Sequence, residues 1–408
     1  MTFWRQGLAL LAGGTSVLAY APFELAPLAL VSLAVLFALL GPCSPRQQAD
    51  EGRARRALHG FSIGFAWGLG AMLAGVSWLY IALHRFGGMS MPLAAFAVLL
   101  FCAGMALHAG MAGALFATLR RGAPWRDAAV FAAVWLLSEW LRGWLFTGFP
   151  WLASGYSQSP PSPLAGFAPV LGVYGVGGLL ALAAAWVCQS VLGRRGGPLL
   201  AVLVLLVTGA ALRQVAWTEA VGAPVKLALL QTNIEQGLKW RPEMLQRWLD
   251  VNVAMLRDNP AEIVVLPETT LPLLVEYLPP GYLDELRRVA ADNGGDVILG
   301  TFVRNEAGNI FNAAISLGRS AAGYYAKQHL VPFGEYSPPL FRWFYELVNI
   351  PMADQTRGPE RQPPMLLAGQ KVAVNICYED AFGEELIRSL PEATLMLNIS
   401  NLAWYGDS

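Results

Sequence analysis

Charged side chains are scarce in this 408-residue chain, with Asp, Glu, Lys and Arg together at 14%, against roughly 25% in soluble domains. Hydrophobic residues reach 55% and the mean hydropathy is +0.45, which excludes a wholly soluble protein. Lysine is missing from residues 1–212, which hold 12 Arg and 5 acids, whereas residues 213–408 hold 16 Lys and Arg against 23 acids. A net charge of zero therefore divides into +7 and −7 halves. The arginines of the first half sit in short loops between apolar runs and form no basic stripe, so nucleic acid is excluded as a partner. There are only four cysteines, and Cys43, Cys102 and Cys188 lie in or beside apolar runs, leaving Cys377 alone in the polar half. That set allows neither a disulfide framework nor a zinc-type spacing. Four scattered histidines (His59, His84, His108, His329) likewise argue against a metal cluster or a His-based triad.

Long apolar runs are abundant instead. Spanning a ~30 Å hydrocarbon core takes about 20 helical residues, and seven runs approach this, at about 6–22, 25–42, 61–83, 93–119, 127–147, 164–192 and 198–217. With the N-terminus inside, the inner loops carry Arg46, Arg53, Arg55, Arg56, Arg120, Arg121, Arg126, Arg194 and Arg195, and the outer loops carry only Arg85. That asymmetry satisfies the positive-inside rule and puts everything after about residue 217 outside. The expected organisation is a transmembrane helical domain of about seven spans over 1–217, followed by an extracytoplasmic domain over 218–408. Reading residues 1–22 as a signal peptide is disfavoured by the lack of a small-x-small cleavage site and by the closely following second run. Arg213, at the end of the last run, is expected to snorkel to the interface.

Several features of the membrane half invite a sharper reading. Gly60, Gly64 and Gly68 share one helix face, which lets a second helix approach closely. Gly60-Phe61-Ser62-Ile63-Gly64 matches a G-x-S-x-G nucleophile pattern, but no strand precedes it, so the match is rejected. Glu139 and Arg142 are spaced to pair on one helix face, as a structural ion pair or a functional site. Phe149 and Trp151 in GFPWL, with Tyr156, form an aromatic girdle at the outer surface, an interface anchor or a lipid entrance. A transporter is disfavoured because no internal repeat or paired broken helices are visible.

From Val225 the periodicity changes. Strands are expected at Val225–Ile234, Glu262–Leu266, Asp296–Val303, Asn309–Leu317, Gly323–Val331, Lys371–Ile376 and Ala393–Asn401, with helices at Arg241–Asp258, Tyr282–Ala291 and Gly383–Leu390. This alternation describes a layered α/β domain. Three residues stand at strand ends: Glu268 after IVVLP, Lys327 in GYYAKQHLVPFGEY, and Cys377 in VAVNICYED. A thiol becomes a strong nucleophile when a base or a cation helps it lose its proton. With no obvious His partner, a carboxylate and an ammonium fill those roles. Taken singly, Cys377 also reads as a buried structural thiol, Glu268 as a capping or salt-bridged acid, and Lys327 as an exposed strand charge.

The three residues in this order, with these flanks, resemble the nitrilase superfamily. With the preceding multi-span bundle, the chain resembles the apolipoprotein N-acyltransferases, membrane-embedded members of that superfamily. QTNIEQGLKW ending at Trp240, LPET around Glu268, KQHLVPFGEY, ICYED, NISNLAWYGDS and the GFPWL of the membrane half carry the likeness, which covers nearly the whole chain. It implies an αββα sandwich with a Glu-Lys-Cys triad: Cys377 the nucleophile, Glu268 the general base, Lys327 the oxyanion's cation. Glu335 matches a second acid of the family's site, able to orient Lys327 or shuttle a proton, and Trp240, Tyr378 and Glu379 match supporting positions. Tyr378 N–H is a natural second oxyanion donor. His329 reads as structural.

The implied reaction is two-step. A phospholipid such as phosphatidylethanolamine acylates Cys377, and the α-amine of a diacylglyceryl-modified lipoprotein cysteine resolves the thioester. No cofactor or metal is implied, and the expected protein is a monomer in a bacterial inner membrane with its catalytic domain in the periplasm. The family continues past the position matching Ser408, so the sandwich is expected to be incomplete. The alternatives are a membrane-tethered nitrilase-type amidase and a non-enzymatic ligand-binding module.

Overall fold

An apolar surrounding obliges backbone amides to bond within their own segment, and the described apolar runs before Arg213 meet that demand mainly as helices. The computed structural model describes residues 3–41, 52–159, 161–194, 196–338 and 354–406. Cys43, Arg46 and Arg195 lie outside the described residues. The chain divides into two units, Met1–Tyr80 with Met91–Glu219, and Ile81–Ser90 with Ala220–Ser408.

The first unit contains α1 (Phe3–Ser16), α2 (Pro27–Leu40), α3 (Arg53–Gly75), α4 (Met91–Leu119), α5 (Pro124–Trp144), α6 (Ala168–Gly193) and α7 (Gly196–Leu212). Among the described residues, four helical segments are long and apolar enough to cross a membrane: Arg53–Gly75, Met91–Leu119, Pro124–Thr147 and Pro163–Gly193. The other three apolar runs give the shorter α1, α2 and α7. The first run stops being helical after Ala19 because the chain turns there, with Phe23 and Glu24 N–H both donating to Tyr20 C=O. The third run is interrupted after Gly75 and resumes as one α-helical turn, Leu79–Ile81, that continues as a π-helical turn over Ala82–Phe86. The last run ends as a helix at Leu212, and the Arg213 guanidinium donates to Pro161 C=O at 2.8 Å.

The glycine face of α3 packs on α4. A Cβ at Gly60 would lie 2.3 Å from Gly113 C=O, and one at Gly64 2.2 Å from Ala109 C=O, so only glycine permits this approach. Outward side chains such as Phe96, Leu100, Leu203 and Val207 are exposed and apolar, as lipid-facing positions are. Ser62 lies inside α3 and donates to His59 C=O, a helical hydroxyl with no strand-to-turn setting.

In the second unit the strands are β1 (Leu227–Leu229), β2 (Ile263–Val265), β3 (Asp296–Arg304), β4 (Ile310–Gly318), β5 (Gly323–Ala326), β6 (Met365–Leu367), β7 (Gln370–Ile376) and β8 (Leu395–Ile399). One sheet has the order β1-β2-β3-β4-β5, with β1, β2 and β3 parallel and β4 and β5 antiparallel to their neighbours. The other is β6-β7-β8, with β7 and β8 parallel. Between the strands run α8 (Gln236–Lys239), α9 (Leu245–Asp258), α10 (Tyr282–Asp292) and α11 (Gly383–Leu386).

Burial follows from the side-chain pattern. α9 buries Trp248, Leu249, Asn252, Val253 and Leu256, and α10 buries Tyr282, Leu286, Val289 and Ala290, one apolar stripe each. Those stripes meet Val264, Leu266, Val297 and Leu299 of the first sheet. Its opposite face (Ile263, Val265, Ile298, Ala314) packs on Met365, Val372, Val374, Ile376 and Leu397 of the second sheet. Helices on a sheet and that sheet on another is the layered α/β domain the alternation described and the sandwich the resemblance implied. The interior parallel strand β2 is buried on both faces, which explains its unbroken Ile-Val-Val run.

Four expected elements differ. β1 is three residues long, and the chain then bends through Asn233 at φ +50°. The helix foreseen from Arg241 begins as a 3-10 turn, Pro242–Met244, and becomes α-helical at Leu245. The strand foreseen over Gly323–Val331 stops at Ala326, because Gln328 and His329 N–H donate to the Glu379 carboxylate in place of a neighbouring strand. The helix foreseen over Gly383–Leu390 breaks into α11 and a 3-10 turn, Ile387–Ser389.

Candidate active site

The ends of β2, β5 and β7 bring Glu268, Lys327 and Cys377 together. Glu268 follows β2 and is 5% exposed, and the next residue, Thr269, adopts φ +49°. The bend is accommodated at Gly300 of β3, where a Cβ would lie 2.6 Å from Glu268 Cα. Lys327 follows β5 and is fully buried. Its Nζ donates to Glu335 Oε1 at 2.7 Å and to Glu268 Oε1 at 3.4 Å. Burial alone would lower the proton affinity of this ammonium, but Glu335 and Glu268 outweigh it and hold the pKa well above the ordinary lysine value. Lys327 is therefore a fixed cation and not a proton carrier.

Cys377 follows β7 and opens a 3-10 turn, Cys377–Ala381, at φ +56°. A left-handed conformation at a non-glycine residue costs free energy and persists only where its surroundings enforce it. It aims the side chain off the strand line. The thiol lies beside the Glu268 carboxylate, and burial, reinforced by Glu268, pushes its pKa up to about 12. At neutral pH the sulfur keeps its proton, with a carboxylate in place to take it.

Glu335 also accepts from Val331 N–H at 2.8 Å through its other oxygen, so it orients Lys327 from a fixed seat. Glu379 is 1% exposed and accepts from Tyr325 OH, Gln328 N–H, His329 N–H and Ile376 N–H. It ties the chain just after Lys327 to the chain just before Cys377. Even with these donors, burial raises its pKa. Tyr378, next to the thiol, packs its ring edge-on against Phe382 with centroids 5.0 Å apart. Trp240 follows α8 near Phe302, with its indole N–H buried and unpartnered among the described residues. His329 stacks on Phe382 at 3.6 Å, and its Nδ1 lies 3.1 Å from Glu385 Oε1. No metal-type cluster of His, Cys, Asp and Glu occurs among the described residues.

In the first unit, Glu139 and Arg142 are buried but do not bond to each other. Glu139 accepts from Ser154 N–H and Oγ–H at 2.8 and 2.9 Å, and Arg142 donates to Phe149 and Trp151 C=O. They hold the 149–154 segment from two sides, the carboxylate taking a backbone N–H and the guanidinium two backbone carbonyls. Phe149 stacks edge-on against Phe101 at 4.9 Å, and Trp151 lies 5.4 Å from Trp78.

The apolipoprotein N-acyltransferase N-terminal domain matches residues 12–186, and the carbon-nitrogen hydrolase domain matches residues 226–408. An apolipoprotein N-acyltransferase of Nitrosomonas europaea is 43% identical over 410 residues, covering 100% of this chain and 80% of that protein. One of Chromobacterium violaceum is 42% identical over 408 residues, covering 98% and 76%. The chain belongs to the apolipoprotein N-acyltransferase family. A crystal structure of a carbon-nitrogen hydrolase from Helicobacter pylori G27 aligns with TM-score 0.30 and 19% identity over 43% of this chain and 59% of that one, too distant to add to the assignment.

Membership makes the chain an acyltransferase of the carbon-nitrogen hydrolase superfamily and, with its apolar helices, a bacterial membrane protein. Around this cluster the structure adds residues that sequence reasoning did not single out. Asn312 on β4 is 1% exposed and donates Nδ2–H to Glu268 Oε1 at 2.8 Å, while its C=O receives Lys327 N–H. Asn401 N–H donates to Glu268 Oε2 at 2.9 Å. Lys239 donates to Thr269 Oγ1 at 2.7 Å. The only signal for them in the sequence is a polar residue inside a strand or beside a motif, which many solvent-facing residues share.

Proposed function

We propose that the protein moves an acyl chain from a phospholipid, through a thioester on Cys377, to the N-terminal α-amine of a diacylglyceryl-cysteine lipoprotein. The observation that carries this reading is a fully buried ammonium held between Glu268 and Glu335, with the Cys377 thiol beside the same Glu268 carboxylate. As Sγ attacks the donor's ester carbonyl, Glu268 takes the thiol proton. Charge develops on the carbonyl oxygen, where Lys327 Nζ and Tyr378 N–H stabilise it. Collapse breaks the ester C–O bond, and the lysophospholipid leaves with the proton from Glu268. The neutral acceptor amine then attacks the thioester, Glu268 accepts its proton, and the sulfur departs and is reprotonated. One base serves both half-reactions, which is a ping-pong sequence without metal or cofactor.

Both substrates are anchored by acyl chains, each buried CH₂ contributing about 0.8 kcal/mol, so a membrane-embedded enzyme suits them better than a soluble one. Phosphatidylethanolamine is the proposed donor, and Phe149 and Trp151 the proposed lipid entrance. The inner membrane, with the catalytic unit in the periplasm, is the proposed location. Two features support that side: the arginine asymmetry, and the membership of Ile81–Ser90, between α3 and α4, in the second unit. A monomer suffices, since one chain supplies every group invoked.

The test is mass spectrometry of the purified protein incubated with phosphatidylethanolamine and no acceptor, alongside Cys377→Ser. A hydroxylamine-sensitive acyl adduct on the Cys377 peptide, absent from the variant, is expected. Hydrolysis of small amides without any lipid-derived adduct would overturn the reading and leave a tethered amidase.

A further inference from the structure

The site holds a second buried cation. Lys239, the last residue of α8, is 5% exposed and makes no ion pair within 4.0 Å among the described residues. Its Nζ donates to Thr269 Oγ1 at 2.7 Å, and that hydroxyl also receives Asn401 Nδ2–H at 3.4 Å. Asn401 Nδ2 donates in addition to Gln236 Oε1, on the same short helix as Lys239. Asn401 N–H in turn donates to Glu268 Oε2, and Thr269 is the residue after Glu268, in a left-handed conformation. Thr269, Asn401 and Gln236 are all buried. The back of the Glu268 carboxylate is thus bounded by a closed polar chain with an ammonium at its end.

Charge arithmetic gives that ammonium a purpose. The charged and titratable groups coupled to Glu268 from the surrounding elements are Lys327, Cys377, Tyr405 and Lys239, with Glu335 sharing Lys327 and Asn312 with it. Glu268, which is buried, and Glu335, which is partly buried, both face one cation at Lys327, and Lys239 adds a second positive charge on the far side of Glu268. Burial lowers its pKa to about 8, opposed by Glu268, so it still carries its proton at neutral pH.

We propose that Lys239 is a positioning residue for Glu268, anchoring the bend at Thr269 and Asn401 and balancing the carboxylate's charge so that it can take the Cys377 proton. The inference rests on the reading of Glu268 as the base for Cys377.

The test is the rate of Cys377 alkylation by iodoacetamide against pH, followed by peptide mass spectrometry on the intact detergent-solubilised protein. It needs neither donor nor acceptor. A carboxylate that loses a neighbouring cation protonates more readily, and the thiolate beside it becomes harder to form. Lys239→Met is expected to move the profile upward by about one pH unit and to slow alkylation about tenfold at pH 7. Thr269→Val, which keeps the charge but removes the tether, is expected to shift it the same way by less, and Thr269→Ser to restore it. Equal slowing at every pH, or no change, in both Lys239→Met and Thr269→Val would overturn the proposal while Glu268→Gln still alters the profile. If Glu268→Gln leaves the profile unchanged, the base assignment falls and this inference falls with it.

Discussion

At the scale of single residues, the site is a cluster of charges that fold poorly and react well. Removing Lys327 leaves the buried Glu268 and the partly buried Glu335 without their cation, which costs about 3–5 kcal/mol where one partner of a buried pair is deleted. Lys327→Met is therefore expected to unfold at lower temperature as well as to lose activity. Lys239 behaves in the opposite sense. Its ordinary pKa of 10.5 falls to about 8 in the folded protein, so between those values the unfolded chain binds a proton that the folded one does not. Stability then rises with pH across that window, and the burial penalty is present in full below pH 8. Lys239→Met should melt higher than the wild type at pH 7, by on the order of 3 kcal/mol, with the gap closing towards pH 10.5. Thermal scans of both proteins over pH 7–10.5 check this, and a lower melting point for the variant at pH 7 would refute it. Glu268→Gln cannot take a proton from sulfur, and acyl-enzyme formation should fall by about 100-fold or more, read by single-turnover adduct mass.

At the scale of elements, Glu379 decides where strand becomes site. It collects donors from Tyr325, Gln328, His329 and Ile376, and so ends β5 and fixes the exit of β7 in one group. Glu379→Gln keeps the shape but halves the accepting oxygens, leaving buried N–H groups unpaired at about 1–3 kcal/mol each. The expected result is a lower melting point with adduct formation reduced at every pH, because position and not protonation is lost. A shifted pH profile instead would point to a direct electrostatic role. Glu379 also shows what was legible in advance. The alternation of β-branched runs announced the sheets, and Glu268, Lys327 and Cys377 stood out because each ends such a run. Lys239, Asn312 and Asn401 did not, since their partners are reached through sheet pairing and loop closure over tens of residues. The end of β5 was missed for the same reason, its competitor for hydrogen bonds lying about fifty residues further on. β6, three residues long, carries too little pattern to be seen.

At the scale of the whole molecule, the arginine distribution and the division into two units bear on one question: which loops share a side of the membrane. Ile81–Ser90 belongs to the unit that holds Cys377, and that segment contains Arg85 as its sole arginine or lysine. Arg121, in the turn between α4 and α5, lies on the other side in a chain threaded by alternate crossings, where the positive-inside rule retains Arg and Lys. Single cysteines at two exposed positions separate the outcomes. In a variant with the native cysteines replaced, Ser90→Cys is expected to react with a membrane-impermeant maleimide in spheroplasts of intact cells, and Arg121→Cys only after permeabilisation. The reverse pattern would put the thiol of Cys377 in the cytoplasm, away from the lipoproteins the proposed reaction requires. Labelling of both positions before permeabilisation would mean that α4 does not cross, although its 29 residues extend about 44 Å at 1.5 Å each, beyond a ~30 Å core.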